Sequence, residues 1–364
     1  MANELSKAIG VISGTSMDGI DVALVETDGG LKVSAGAGGT YPYPPGLREE
    51  LLAVIADPAA AESVPLTELE TAVTAAHGDA IARFLTENAV PPGAIDVIGL
   101  HGQTIYHRPQ KRFTRQLGCG AAIAARFGVR TVSRFRHADV AAGGEGAPLA
   151  PLYHQALAAE LPHPLMVLNL GGVGNVTFID GDTVIAFDTG PASAMIDDFV
   201  RRRRSIAFDA GGRIAAAGRP AAALVERFAA HPFFTRPAPK SLDRNEFHAA
   251  AADVEQLSDE DGAATLAEFT VLATIAALRQ VPRAPLRWLV TGGGRHNAHI
   301  MRRLAAELRV PVEPVEAVGW DGDFLEAQCF GYLAVRTLLG LPLSLPTTTG
   351  VPHPLTGGEI SLPP

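Results

Sequence analysis

Asp188 stands in Ala186-Phe187-Asp188-Thr189-Gly190-Pro191, at the end of an apolar run and just before a Gly-Pro break. A carboxylate at such a strand end looks into open space and suits a general base, although capping of the next helix is an alternative reading. Glu326, with Asp321 and Asp323 upstream, opens the last long apolar segment and can present an acceptor to a hydroxyl or complement a helix dipole. His101 and Gln103, in His101-Gly102-Gln103-Thr104, directly follow a buried strand, where polar side chains typically meet a ligand. Arg136 and Asp139, close to the Gly-Gly-Glu-Gly-Ala-Pro turn, can grip a carboxylate and a hydroxyl. His101 and His107 have no third ligand at metal spacing, which argues against zinc.

Three glycine-rich turns accompany these groups. The first is Gly14-Thr15-Ser16-Met17-Asp18-Gly19-Ile20-Asp21, in which small residues let backbone amides approach phosphate oxygens and Thr15 and Ser16 add hydroxyls. Asp18 or Asp21 could then hold Mg2+ directly or through water. Taken alone, this motif is also an ordinary hairpin turn. The second, Leu170-Gly171-Gly172-Val173-Gly174-Asn175, and the third, Gly292-Gly293-Gly294 after Trp288-Leu289-Val290, suit the phosphate and adenosine sides of a nucleotide. No Gly-Lys-Ser or Gly-Lys-Thr occurs, so a Walker A loop is excluded, and the protein-kinase triplets are missing too. What remains is a nucleotide site built from hairpin turns of two facing domains, with an aspartate handling the reacting proton.

The elements that must carry these groups alternate in α/β fashion. Apolar runs at 8–12 and 21–26 flank the first turn, a helical pattern at 66–87 leads to the strand 96–102, and strand, turn and strand begin again at 165–179 and 183–191. Two related halves are expected, an N-terminal domain over 1–130, completed or not by the C-terminal tail, and a second over 131–364, with the boundary near 127–138. A helical region at 261–279, the strand Arg-Trp-Leu-Val-Thr-Gly, the helix Ala298-His-Ile-Met-Arg-Arg-Leu-Ala-Ala-Glu-Leu308 and a last helix from Phe324 complete the pattern. The chain of 364 residues, 47% hydrophobic and 19% charged, is long enough for two cores. Its net charge of −9 argues against nucleic-acid partners. Cys119 and Cys329 form no disulfide framework, the N-terminus has no signal-peptide pattern, and no apolar run reaches the roughly 18 residues of a span, so the expectation is a cytoplasmic protein with no membrane partner. The run Arg201 to Arg204 reads as solvated surface.

Together the segments SGTSMDGID, HGQTIYHRP, FRHADVAAGGEGAPL, NLGGVGN, FDTGP, PKSLDRNEF, VTGGGRHN and EAQCFGYLAVR resemble the anhydro-N-acetylmuramic acid kinases over almost the whole chain. The resemblance implies two ribonuclease H-like domains of the sugar kinase, heat-shock protein 70 and actin type, with ATP and sugar in the cleft between them, and a homodimer. It also implies the reaction of 1,6-anhydro-N-acetylmuramic acid, ATP and water to N-acetylmuramic acid 6-phosphate and ADP. Asp188 matches the family's base, Glu326 a substrate-site position, and 14–21 the ATP-phosphate motif. After Asp-Thr-Gly-Pro the family continues Gly-Asn, whereas this chain has Ala192-Ser193. A kinase of the same fold acting on another sugar or acid, and a non-enzymatic actin-like nucleotide-binding protein, remain the alternatives.

Overall fold

The computed structural model describes residues 4–14, 17, 19–242 and 246–364. Strand β1 (Ser6–Ser13) is buried from Ala8 onward, the pattern of a strand covered on both faces. It pairs antiparallel with β2 (Ile20–Thr27), which pairs antiparallel with β3 (Val33–Tyr41). Beyond its other edge lies β4 (Val97–Arg108), parallel to β1, whose far end folds back through β5 (Phe113–Leu117). The short β6 (Thr131–Ser133) runs parallel to β4, and a terminal strand, Glu359–Ser361, pairs antiparallel with β6.

The second sheet repeats this path. Strands β7 (Leu165–Leu170), β8 (Val173–Asp180) and β9 (Thr183–Pro191) form an antiparallel meander, and β10 (Arg287–Thr291) and β11 (Val312–Pro314) add parallel strands beyond β7. The expected duplication is therefore present as topology: three meandering strands, then two parallel ones next to the first. By length and composition, helix Asp259–Ala276 with its 3-10 extension to Gln280 is apolar enough to cross a membrane, contrary to the sequence expectation, yet 67% of its apolar stretch is buried. It is a core helix, because it packs against β9 and the helix Ser193–Arg204.

The chain divides into two compact units, Met1–Ala159 with Phe324–Pro364, and Glu160–Asp323. The boundary expected near 127–138, and with it the spans 1–130 and 131–364, is corrected. The glycine-rich segment is no linker, because β6 is hydrogen-bonded into the first sheet and Asp139 anchors the loop that follows it. The C-terminal segment also returns to the first unit, where Leu325–Leu338 packs on β1, β2 and β4.

That helix lies on the sheet at backbone distance, which three glycines permit. A Cβ on Gly10 would lie 1.7 Å from the Ala327 carbonyl oxygen, and one on Gly99 would lie 2.1 Å from that of Phe330. On the helix side, a Cβ on Gly331 would lie 2.7 Å from Val25 Cγ1 and 3.1 Å from Gly10 N. A methyl group at Gly99 can be accommodated only by lifting the helix, so Gly99→Ala is expected to cost about 3 kcal/mol. Gly93→Ala, at a position with nothing within 4 Å, is expected to stay within about 0.5 kcal/mol. Urea unfolding of the two variants measures the difference.

Candidate active site

In the first unit, the end of β4 and the loop after β6 form a connected polar cluster. His101 Nδ1 is 2.9 Å from the Gly102 carbonyl, which can only accept, so the proton sits on Nδ1. Nε2 then accepts from Arg136 Nε at 3.0 Å. The imidazole is thereby held neutral, and burial first and Arg136 second push its pKa well below the ordinary histidine value. Both ring nitrogens are occupied and the ring packs at a tilt against Phe330, 4.4 Å between centroids, so His101 supports Arg136 and has no nitrogen left for a ligand. Arg136 Nη1 also donates to Gly146 O at 2.7 Å; these contacts use two of its five N–H donors. Burial lowers the Arg136 pKa, while Glu326, Cys329 and Asp139 oppose that shift, which puts Glu326, exposed in the first turn of its helix, within electrostatic reach.

Gln103 is fully buried, with Oε1 accepting from Tyr43 and Nε2 donating to Thr104 O. Asp139, 2% exposed, accepts from Gly146 N at 2.7 Å and from Thr349 Oγ1 at 2.6 Å. Its carboxylate is thus a clamp on the glycine loop, a different role from the hydroxyl grip expected of it. His107 reinforces the same loop by donating from Nε2 to Glu145 O and accepting on Nδ1 from Thr114.

In the β1–β2 turn, Gly14 O accepts from Met17 N, and Met17 takes a left-handed φ of 50° while its carbonyl accepts from Arg48. Gly19 has no room for a side chain, since a Cβ would lie 2.4 Å from Thr40 Cγ2. Ile20 is buried, and Asp21 accepts from Thr40 Oγ1 at 2.7 Å. Thr15, Ser16 and Asp18 lie outside the described residues.

The second unit gathers the remaining motifs at one end of its sheet. Thr291, Asn169, Asn175 and Asp188 are successive register partners on β10, β7, β8 and β9, a polar row where the apolar strands end. The two glycine turns meet beside it. A Cβ on Gly292 would lie 2.3 Å from Asn169 Oδ1, and one on Gly294 would lie 2.6 Å from Leu170 Cβ. Gly293 opens to free space. Gly171 O and Gly172 O accept from the amides of Ser193 and Ala192, which ties the second turn to the start of helix Ser193–Arg204. Ser193 Oγ donates to Leu170 O at 3.4 Å, so the pair standing in for Gly-Asn packs against this turn.

Asp188 is partly exposed at the end of β9. Its amide donates to Lys240 O at 2.9 Å, and its Oδ2 accepts from Leu242 N at 2.8 Å. Sequence reasoning missed this support, and also Asn169 and Thr349. The signal for Lys240 and Leu242 was their place in the segment PKSLDRNEF, to which sequence reasoning assigned no role, and their partner stands far away in the chain. Arg201 to Arg204 pair with Asp198, Glu255, Asp259 and Glu260 on exposed surface, as expected. Among the described residues no group of three or more metal-ligating side chains occurs.

The doubled sheet, with glycine turns at its strand ends, defines a two-domain α/β protein of the sugar kinase, heat-shock protein 70 and actin class. Component A of the (R)-2-hydroxyglutaryl-CoA dehydratase of Acidaminococcus fermentans shares this fold, at a TM-score of 0.50 and 10% identity, over 92% of this chain and 99% of that one. The family model for anhydro-N-acetylmuramic acid kinase matches residues 6–362. The anhydro-N-acetylmuramic acid kinase of Rhodospirillum rubrum is 51% identical over 353 residues, covering 96% of this chain and 93% of the relative. That of Acidiphilium cryptum is 52% identical over 361 residues, covering 98% of each. The chain belongs to the anhydro-N-acetylmuramic acid kinase family.

Neutral buried histidines are expected to make the first unit acid-sensitive. Burial lowers both His77 and His107 from 6.5 to about 4. A depressed histidine leaves stability intact above the unfolded value near 6.5 and removes it as pH falls toward the folded one. For fully buried His77 the loss reaches roughly 3 kcal/mol below pH 4. Urea unfolding between pH 7 and 4.5 is expected to show a shallower decline for His77→Gln than for the unmodified chain.

Proposed function

We propose that this protein converts 1,6-anhydro-N-acetylmuramic acid, ATP and water to N-acetylmuramic acid 6-phosphate and ADP, a step in recycling cell-wall sugar. The observation that carries the reading is the family match from residue 6 to 362, which spans every element of both units. In the anhydro sugar O6 is tied to C1, so there is no 6-hydroxyl to deprotonate. Asp188 takes a proton from water, the water oxygen bonds to C1 as the C1–O6 bond breaks, and O6 takes the γ-phosphoryl group as its bond to ADP breaks. Asp188 suits the base role because it combines partial exposure with an orientation fixed by the Leu242 amide.

Backbone amides around Gly14–Gly19, Gly171 and Gly172 would serve the phosphates, and the open backbone at Gly293 would serve the adenosine side. Mg2+ bound with ATP would neutralise charge on the phosphates. On the sugar side, Glu326 and Arg136 are the acceptor and donor, and Gln103, His101 and Asp139 hold the framework around Arg136. A cytoplasmic homodimer completes the reading, in keeping with the free Cys119 and Cys329 and the charge of −9.

ADP release from Mg-ATP is expected with 1,6-anhydro-N-acetylmuramic acid and neither with N-acetylmuramic acid nor without sugar. Oxygen from labelled water is expected at C1 of the product. Asp188→Asn is expected to lower turnover by about 10²–10⁴ while ATP binding persists. Turnover with the open sugar, or near-normal rates in the variant, would overturn the reading.

A further inference from the structure

Arg295 is a buried charge of the second unit, its side chain only 4% exposed, and every nitrogen of its guanidinium is engaged. Nε donates to Glu316 Oε1 at 2.9 Å, Nη2 to Asp323 Oδ1 at 2.6 Å and Nη1 to Gly292 O at 3.1 Å. Two carboxylates thus balance its charge, which makes it a poor receptor for a further anion such as a phosphate. The main-chain amide of Arg295 donates to the same Gly292 carbonyl, also at 3.1 Å. That carbonyl therefore faces the buried arginine and not the free space at Gly293, where a Cβ would meet nothing within 4 Å. Gly292 has a φ of 75°, the left-handed region, and as a glycine it has no side chain to hold it there, so its carbonyl direction must be set from outside. The guanidinium also packs on main chain below the turn: a Cβ on Gly322 would lie 2.6 Å from Arg295 Nε, and Gly322 O accepts from Thr291 Oγ1 at 3.3 Å. One side chain therefore fastens the end of β10 and the glycine turn to the loop that carries Glu316 and Asp323.

We propose that Arg295 is a positioning residue for the nucleotide: by holding the Gly292 carbonyl inward it keeps the backbone at Gly293 open for the adenosine side of ATP. The inference rests on reading Gly292–Gly294 as that side. Three consecutive glycines lose much conformational freedom on ordering, and a turn that the ligand must order binds it more weakly than a turn already fixed. A lysine cannot take the arginine's place, because one ammonium does not reproduce three contacts made by a planar fork.

Arg295→Met removes the fork, whereas Arg295→Lys keeps a cation beside both carboxylates and so protects folding. In each, the affinity for Mg-ADP by titration calorimetry is expected to fall about tenfold and the KM for ATP to rise to match, while kcat at saturating ATP and the KM for 1,6-anhydro-N-acetylmuramic acid stay within about twofold. Arg303→Met, which breaks ion pairs with Glu268 and Glu307 in the same unit, is expected to leave Mg-ADP affinity unchanged and so separates positioning from general loosening. Unchanged Mg-ADP affinity in a folded Arg295 variant, or an equal fall in Arg303→Met, overturns the proposal. Gly293→Leu puts a side chain into the open space and tests the underlying reading. Mg-ADP affinity that ignores Gly293→Leu defeats the adenosine assignment of the turn, and the arginine proposal with it, whereas a fall there without one in the Arg295 variants defeats the arginine proposal alone.

Discussion

The backbone-to-backbone contact between helix Leu325–Leu338 and the first sheet is the constraint on which the first unit depends. Gly10 and Gly99 on adjacent strands strip the sheet surface to main chain, and Gly331 does the same for the helix. Close packing of this kind gains many weak contacts over a small area and tolerates no added methyl group. It also fixes positions beyond itself. Phe330 is set against His101, Gln328 against Tyr153, and Glu326 in the first turn near Arg136. The polar cluster of this unit therefore inherits its geometry from an apolar contact made by residues without side chains.

The two units treat charge in different ways. In the first, His101 and His107 are kept neutral so that each accepts and donates once, and the positive charge is concentrated on Arg136. In the second, main-chain groups of Lys240 and Leu242 hold the Asp188 amide and carboxylate, and the polar row from Thr291 to Asp188 marks where the apolar strands give way. Each arrangement places a charged group at a strand end with its orientation already determined, which lowers the reorganisation a reaction must supply.

Much of the architecture was legible because it rests on local pattern. Helix Ala298–Leu308 coincides with its amphipathic segment, and both meanders announce themselves as apolar runs broken by glycine. Strand β3 escaped, since Val-Ser-Ala-Gly-Ala-Gly-Gly-Thr-Tyr carries few β-branched residues and takes its conformation from pairing with β2. Asp188 and Glu326 were identifiable by type and place, whereas their supports were not. The Leu242–Asp188 bond spans 54 positions and the Thr349–Asp139 bond spans 210, distances over which periodicity carries no information. The same limit displaced the domain boundary, because a segment that leaves a sheet and returns to it has no compositional mark.

That return makes the second unit an insertion within the first. A chain made from its N-terminus on the ribosome has all of Glu160–Asp323 available before Leu325–Leu338 has emerged, so the second unit can close while the first sheet still lacks its covering helix. During that interval the glycine-lined surface of β1 and β4 is bare to whatever binds nascent chains. The unit begun first can therefore be the last to be completed.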